Sequence, residues 1–184
     1  MLKIKTKPTS LNATEPDAKF MKTLVTGVAG FIGYHTATRL LDRGDEVVGI
    51  DIVNDYYSVV LKNARLDQLK GREGFTFHKL DLSDRSAYDE MRSAIEGVTR
   101  VIHLAAQAGV RHSIEHPFDY VDANLVSHMT ILELSRHQPN FDHMVYASSS
   151  SVYGGNTKLP FAIEDRVDSP VSLYAATKLA NEHM

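Results

Sequence analysis

Short apolar runs alternate along the chain with stretches whose apolar residues recur at helical spacing. The first run, residues 22–26, is rich in β-prone residues and leads directly into a glycine-rich turn. Residues 31–43 follow with apolar side chains at helical intervals, and Gly44 stands where a helix typically ends. The pattern therefore predicts a strand, a turn and a helix in succession.

The same alternation continues through the rest of the sequence. It predicts further strands at about residues 46–50, 75–80, 101–104 and 143–147. It predicts helices at about residues 56–70, 85–95, 118–137 and from Leu173 onward, with a short one near Val110. Strands and helices that alternate in this way indicate an α/β fold, a doubly wound parallel sheet with helices on both faces.

The two ends of the chain differ from its middle. Residues 1–20 show no apolar periodicity, which predicts a mobile N-terminal extension. Residues 21–184 have a length that fits one domain. The last predicted helix reaches Met184 with neither a cap nor a following strand, so we expect this domain to be incomplete at its C-terminus.

Composition narrows the classes of partner. With 43% hydrophobic residues the chain can bury one core, and a formal net charge of -3 argues against a nucleic-acid partner. No secretory signal and no apolar run long enough to span a bilayer is evident, so the sequence predicts no membrane association and a cytoplasmic location. The absence of cysteine excludes disulfides and thiolate metal ligands.

The glycine-rich turn carries the first chemical signal. Gly27 allows a tight exit from the strand, Gly30 allows close approach of an anion, and Gly33 allows close packing behind the turn. The helix that starts at Phe31 and Ile32 offers free N–H groups and the positive end of its dipole. These features predict a pyrophosphate-binding turn, although three glycines alone also fit an ordinary loop.

Asp51 makes the prediction more specific. It ends the second predicted strand, 18 residues after Gly33. A carboxylate there accepts hydrogen bonds from the adenosine ribose and repels a 2′-phosphate, which favours NAD over NADP. Together, the turn and Asp51 predict an NAD-binding domain of the Rossmann type.

A second group of reactive residues lies near the C-terminus. Tyr174 and Lys178 are four residues apart, so on a helix both side chains project from one face. Ser148, Ser149 and Ser150 follow the last predicted strand at the carboxyl edge of the sheet, where such sheets bind their ligands. An exposed Tyr–Lys pair and a polar turn are the structural alternatives.

The sequence TGVAGFIG at residues 26–33 resembles the extended short-chain dehydrogenase/reductase family, and the resemblance continues to the end of the chain. It implies that Tyr174, Lys178 and Ser149 are catalytic, since Ser149 lies four residues before the tyrosine of the Val-Tyr-Gly segment at residues 152–154. Ile52 departs from the Asp-Asn pair that the family has after the second strand, which removes one expected hydrogen bond to the ribose. Besides Tyr174 and Lys178, the resemblance implies cofactor-binding roles for Asp81, Leu82, Ala105, Ala106 and Asn124.

These roles suggest one reaction scheme. Tyr174 removes a proton from a sugar hydroxyl, hydride passes from that carbon to NAD, and Ser149 steadies the carbonyl oxygen. In an epimerase the keto sugar rotates and receives the hydride on its other face. Family 4,6-dehydratases have an acidic pair where this chain has Ser150 and Ser151, so a dehydratase is disfavoured.

Residues 55–57, 107–111, 148–154 and 170–178 look like the UDP-glucuronate 4-epimerase branch, which implies conversion of UDP-glucuronate to UDP-galacturonate. The alternatives are a UDP-galactose-type epimerase, another sugar-nucleotide oxidoreductase, or a non-catalytic NAD-binding fragment. The resemblance also implies a C-terminal region that holds the nucleotide and the sugar, and we expect residues 1–184 to lack it. The predicted substrate contacts are Arg111, Ser148, Ser149 and Ser150.

Two further expectations concern metals and assembly. His112 and His116 have helical spacing, but no acid of a His-Glu-x-x-His site lies between them and Pro117 follows at once, so no metal is expected. Family members often pair through the helices that carry residues 118–137 and the Tyr-x-x-x-Lys motif. The resemblance therefore implies a possible homodimer.

Overall fold

The computed structural model describes residues 21–184 and shows strands alternating with helices throughout. The strands are β1 (Lys22–Thr26), β2 (Glu46–Ile50), β3 (Phe75–His78), β4 (Arg100–His103) and β5 (His143–Tyr146). The α-helices are α1 (Phe31–Asp42), α2 (Val59–Lys70), α3 (Tyr88–Ala94), α4 (His112–Glu115), α5 (Pro117–Tyr120), α6 (Ser127–Arg136) and α7 (Leu173–His183). The predicted extension at residues 1–20 lies outside the described residues.

The five strands form one parallel sheet in the order β3-β2-β1-β4-β5. The chain builds the sheet outward from β1 in one direction and then, from β4, in the other. Loops at the carboxyl ends of β1 and β4 therefore separate and leave a crevice, which is where open α/β sheets bind ligands. The predicted doubly wound parallel sheet is confirmed.

Alternating side chains of the strands fill two cores. Leu24 of β1 packs with Met91 of α3 and Ile131 of α6 on one face. The next residue, Val25, packs with Leu66 of α2 on the other face. Burial of each large apolar side chain contributes about 1.5–3 kcal/mol, so both helical layers hold the sheet. The prediction of helices on both faces is confirmed.

Helix α2 begins three residues later than the sequence pattern predicts. Ser58 ends the preceding loop, and its hydroxyl accepts a hydrogen bond from the Leu61 N–H at 3.3 Å, which satisfies one of the unpaired donors of the first turn. Tyr56 and Tyr57 consequently lie outside the helix. Both line the crevice.

The long helix predicted at residues 118–137 is three segments. Between α5 and α6 the backbone widens into a π-helix at Val121–Val126. This wider turn leaves carbonyl groups for side-chain donors: Asn181 donates to the carbonyl of Asn124 at 2.9 Å. The interruption was invisible in the sequence because the residue that uses the freed carbonyl lies 57 positions away.

Smaller differences occur at other boundaries. Strand β3 ends at His78 rather than at residue 80, and the helix predicted at 85–95 is a 3-10 turn at Arg85–Ala87 followed by α3. The short helix near Val110 is α4. Within residues 21–184, every helix falls short of the length and apolar character that a membrane crossing requires.

The glycine turn offers a direct test of packing. A Cβ at Gly33 would overlap the carbonyl of Gly27, whereas one at Gly71 meets nothing within 4 Å. We expect Gly33→Ala to lower the free energy of unfolding by about 1–3 kcal/mol because the backbone of the turn must shift. Gly71→Ala, the matched control, should change it by less than about 0.5 kcal/mol. Urea denaturation measures both; equal effects would contradict the packing described here.

Candidate functional site

A cavity of about 420 Å³ opens at the carboxyl ends of the strands, in the crevice between the loops after β1 and β4. The glycine turn, the end of β2, the loop after β3 and the loop after β4 form its walls. The predicted cofactor residues that the structure brings together around it are Gly27, Gly30, Asp51, Asp81, Leu82, Ala105 and Ala106. Residues far apart in the sequence thus meet in one cleft.

The turn after β1 aims the N-terminus of α1 at this cleft. Gly27 has a φ of 68°, and a Cβ there would lie 2.9 Å from the Ala105 nitrogen. Gly30 caps α1 without a side-chain hydrogen bond, and no acid lies in the first turn of the helix. The main-chain N–H groups at Phe31 and Ile32 therefore favour an anionic ligand. The side chains of these two residues line a separate surface groove.

Asp51 links β2 to the glycine turn. Its carboxylate is buried and accepts hydrogen bonds from the Ala29 N–H at 3.0 Å and the Val53 N–H at 2.8 Å. Each oxygen keeps a lone pair for a further donor such as a ribose hydroxyl. The neighbouring Ile52 side chain is exposed on the cavity wall and provides no hydrogen bond.

The same turn is also held by Arg65 of α2 and by Tyr57 of the loop before it, a role that the sequence did not reveal for either residue. The carbonyl of Ala29 accepts hydrogen bonds from the Arg65 guanidinium at 3.2 Å and from the Tyr57 hydroxyl at 3.4 Å. Burial raises the pKa of Tyr57 more than the positive charge of Arg65 lowers it, so this phenol stays protonated and donates. The backbone of Ala29 is thus fixed at its N–H by Asp51 and at its carbonyl by Arg65 and Tyr57.

A buried threonine–histidine pair fixes the loop after β4. The Thr26 hydroxyl accepts hydrogen bonds from the Leu104 and Ala105 N–H groups, each at 3.1 Å. The Thr26 hydroxyl therefore donates its own hydrogen bond to Nδ1 of His103, 2.7 Å away. Burial lowers the pKa of His103 to about 3, and the nearby Lys178 charge acts in the same direction. This histidine is consequently neutral, with its proton on Nε2.

Asn124 connects the loop after β4 to α7. Its side-chain oxygen accepts from the Gln107 N–H at 2.8 Å, and its amide donates to the Gln107 carbonyl and to the Thr177 hydroxyl. Asn124 is buried behind the cavity wall rather than on it. Its predicted contact with a cofactor stays a prediction, while its bracing of the loop is a feature that the sequence did not reveal.

The environment of Gln107 indicates that the cleft binds a ligand. The residue is 6% exposed, lines the cavity, and its side-chain nitrogen has no hydrogen-bond partner among the described residues. A buried amide donor without an acceptor costs about 1–3 kcal/mol, so a ligand acceptor in the cleft would stabilise it. This donor and the unpaired N-terminus of α1 fit a dinucleotide with its pyrophosphate and ribose oxygens.

Two of the predicted catalytic residues lie on α7 and the third lies in the segment that follows β5. Ser172 caps α7 by accepting from the Ala175 N–H at 3.0 Å, which places Tyr174 in the first turn of the helix. One turn later, the Lys178 ammonium donates to the Ala147 carbonyl at 2.9 Å, two residues before Ser149. Burial lowers the pKa of Lys178 to about 8. The buried Lys178 and the half-buried Tyr174 thus lie one turn apart on α7, and the lining of the cavity described above includes neither of them nor Ser149.

The serines that follow β5 form different hydrogen bonds. Ser149 accepts hydrogen bonds from the N–H and hydroxyl of Ser151 and so caps a short 3-10 helix at residues 150–153. Ser148 donates a hydrogen bond to the Glu182 carboxylate on α7, and Ser150 is exposed. Arg111 is exposed just before α4 and forms no ion pair within residues 21–184. The substrate contacts assigned to these residues stay predictions.

A histidine cluster lies apart from the cleft's glycine wall. His112 and His116 stack with their ring centres 4.3 Å apart, and a carboxylate oxygen of Asp119 lies 3.8 Å from His112 Nε2. Their potential ligand atoms all lie within 4.8 Å of one another. The sequence predicted no metal here, and that stays a prediction.

The sheet order, the uncapped glycine turn and Asp51 at the end of β2 define a dinucleotide-binding domain of the Rossmann type. Comparison with known proteins places the chain more closely. It belongs to the family described as GDP-mannose 4,6 dehydratase, whose model matches residues 24–184.

Curated relatives resemble the chain over most of its length. It is 53% identical over 166 residues to Protein CapI of Staphylococcus aureus, which covers 89% of this chain and 48% of that protein. It is 50% identical over 165 residues to a probable UDP-glucuronate 4-epimerase of Rhizobium meliloti, with coverage of 89% and 48%. The chain therefore spans about half the length of these relatives.

Solved structures show the same fold. UDP-glucuronic acid 4-epimerase from Bacillus cereus, in complex with UDP-glucuronic acid and NAD, matches with a TM-score of 0.76 at 35% identity, covering 89% of this chain and 50% of that one. UDP-N-acetylglucosamine 4-epimerase from Methanobrevibacter ruminantium matches with a TM-score of 0.76 at 29% identity, covering 90% and 49%. Several neighbours are thus sugar-nucleotide 4-epimerases.

Burial of Lys178 predicts a pH-dependent stability. Its pKa falls from 10.5 to about 8 in the folded chain, so between these values the unfolded chain binds more protons. Stability from this group should therefore rise from pH 8 to 10.5, by about 3 kcal/mol in total. Lys178→Met should lack that rise when urea denaturation is followed across this range, and the exposed control Lys70→Met should retain it. A rise in Lys178→Met as large as that of the unaltered chain would contradict the assignment.

Proposed function

We propose that the protein to which this chain belongs catalyses NAD-dependent 4-epimerisation of a UDP-sugar, converting UDP-glucuronate to UDP-galacturonate. The hydrogen bond from Lys178 to the Ala147 carbonyl carries the proposal, because it ties the helix of Tyr174 to the end of β5, two residues before Ser149. Since the chain spans about half of its relatives, the activity of the whole protein is the proposal rather than a property of these residues alone.

NAD is the cofactor that the donor set fits. Asp51 would accept from the adenosine ribose, the N–H groups at Phe31 and Ile32 would meet the pyrophosphate, and Gln107 would donate to an oxygen in the cleft. Asp81, Leu82, Ala105 and Ala106 would form the apolar and polar floor around them. Bound NAD supplies a hydride acceptor that also returns the hydride.

Three side chains of the chain would handle the proton and the oxygen. Tyr174, as a phenolate, takes a proton from the sugar hydroxyl, and Lys178 stabilises that anion by charge attraction. Ser149 donates a hydrogen bond to the oxygen as it becomes a carbonyl, because its hydroxyl only accepts from Ser151 and keeps its own hydrogen for the substrate.

The substrate is inferred from the similarity to relatives named UDP-glucuronate 4-epimerases and from the serines at 150 and 151, which replace the acidic pair expected of a dehydratase. Arg111, Ser148 and Ser150 are the proposed contacts to the sugar nucleotide. A UDP-galactose-type epimerase is the second candidate, supported by a neighbour described as UDP-galactose 4-epimerase at 33% identity and a TM-score of 0.72. A non-catalytic NAD-binding fragment is the third.

The proposed protein also has a cellular location and an oligomeric state. We propose a cytoplasmic location for the protein, with neither a nucleic acid nor a membrane as partner. We also propose a homodimer formed through the helices that carry residues 118–137 and α7. Exposed apolar side chains at Phe118, Val121 and Met129 support this surface.

The catalytic assignment is tested by removing one hydroxyl. Tyr174→Phe should lower the conversion of UDP-glucuronate to UDP-galacturonate by a factor of about 10²–10⁴, because the proton acceptor is lost. NAD affinity should change by less than about threefold, since the ring remains. Chromatography of the sugar nucleotides and calorimetry with NAD measure the two effects.

Tyr88→Phe is the matched control, because Tyr88 packs against a core on the face of the sheet that α3 and α6 cover. It should leave both turnover and NAD affinity unchanged. Turnover by Tyr174→Phe equal to that of the unaltered chain would remove this residue from the reaction. Saturable NAD binding without turnover by the unaltered chain would favour the non-catalytic fragment instead.

A further inference from the structure

Three potential metal ligands lie together at one side of the cleft, where the proposed function has no role for them. His112 begins α4, His116 follows the last residue of that helix, and Asp119 belongs to α5. Their ligand atoms, two imidazole nitrogens and a carboxylate oxygen, all lie within 4.8 Å of one another. Asp119 also lines the cavity.

The path of the backbone explains how the three side chains come together. The N–H of His116 donates to the carbonyl of His112 at 3.0 Å, so the two imidazoles are one helical turn apart on the same face. Pro117 then starts α5, and Asp119 lies in the first turn of this second helix, with a carboxylate oxygen 3.8 Å from His112 Nε2. The proline that argued against a metal site in the sequence thus marks the break after which a third ligand follows.

The three side chains differ in how freely they move. His112 is partly buried, and its ring centre lies 5.0 Å from that of Tyr56 and 6.0 Å from that of Tyr120. His116 and Asp119 are exposed. Ligand atoms around one tetrahedral ion lie roughly 3.3 Å apart, so the cluster has to contract by about 1 Å. A turn of the exposed His116 ring out of its stack on His112 brings both ring planes toward one ion.

Two imidazoles and one carboxylate favour a particular class of metal ion. Imidazole nitrogen suits zinc and other late first-row divalent ions, whereas Mg²⁺ and Ca²⁺ take oxygen ligands. Zn²⁺ in proteins is commonly tetrahedral, so three protein ligands leave its fourth position to water. Within residues 21–184, Asp119 forms no ion pair with a lysine or arginine that would compete for its carboxylate.

We infer that His112, His116 and Asp119 form a binding site for Zn²⁺ or a similar late first-row divalent ion. The bound ion fastens the end of α4 to the first turn of α5, beside the cavity. Because it binds this folded arrangement, it also stabilises the chain. The site goes beyond the proposed function, since it needs neither NAD nor a sugar nucleotide.

Helix α6 offers a matched control. His137 Nε2 lies 3.8 Å from a carboxylate oxygen of Glu133, the same distance that separates His112 from Asp119. Among the described residues, this pair belongs to no group of three potential ligands. An ion that merely collects at exposed histidine–carboxylate pairs would bind at both places, whereas the inferred site needs the second imidazole.

Calorimetry of the full chain, without a histidine tag, measures the affinity for Zn²⁺. We expect one ion per chain. His116→Gln and Asp119→Asn should each lower the affinity by more than about tenfold, because loss of even an outer-shell partner of a metal site typically costs that much. His137→Gln should bind Zn²⁺ as the unaltered chain does.

Two further measurements locate the ion. Zn²⁺ should raise the midpoint of thermal unfolding of the unaltered chain and of His137→Gln, but not that of His116→Gln. Co²⁺ in place of Zn²⁺ should give the visible absorption bands of four-coordinate cobalt, and His116→Gln should lack them.

The absence of saturable Zn²⁺ binding to the unaltered chain would overturn the site, and so would equal affinity in His116→Gln. A loss of binding confined to His137→Gln would place the ion on α6 and overturn it as well. None of these measurements involves turnover of UDP-glucuronate, so the epimerase proposal and this site fail separately. Circular dichroism of each variant checks that the differences in affinity come from folded protein.

Discussion

The close approach between the turn after β1 and the loop after β4 is the constraint on which the site depends. Gly27 lets the two backbones meet, since a Cβ there would press on the Ala105 nitrogen. The Thr26 hydroxyl then accepts hydrogen bonds from two N–H groups of the β4 loop and donates one to His103. From that contact, the loop continues through Gln107 and Asn124 to α7. One run of hydrogen bonds thus joins the proposed cofactor turn to the helix of Tyr174 and Lys178.

A second set of contacts holds the same turn, one from the end of β2 and one from α2. The Ala29 peptide is held by Asp51 at its N–H and by Arg65 at its carbonyl, so the direction of the α1 N-terminus is fixed before any ligand arrives. Such preorganisation matters because ordering a loop on binding would cost free energy. The hydrogen-bonding groups are arranged accordingly. The N–H groups at the start of α1 and the Gln107 amide are donors left for a ligand, while each oxygen of Asp51 already accepts one hydrogen bond from the backbone.

The sequence predicted what depends on local pattern. The strands at residues 22–26 and 46–50 have the bounds that alternation and flanking turns indicate, and the glycine spacing located the turn. What it could not show depends on partners distant in the chain. The π-helix is stabilised by Asn181, and the start of α2 depends on one serine hydroxyl. Lys62 stands out in the sequence as a charged residue in the apolar stripe of α2 with Leu66 and Leu69. The Asn54 oxygens to which its ammonium donates are brought to it only by the folded chain.

We propose that this cleft binds NAD in one orientation, and a crystal structure of the chain with NAD would reveal that orientation. We expect the pyrophosphate against the N–H groups of Phe31 and Ile32 and the adenosine ribose beside Asp51. We expect the nicotinamide at the other end, toward Tyr174. NAD bound elsewhere on the chain, or with its adenosine end toward α7, would contradict it.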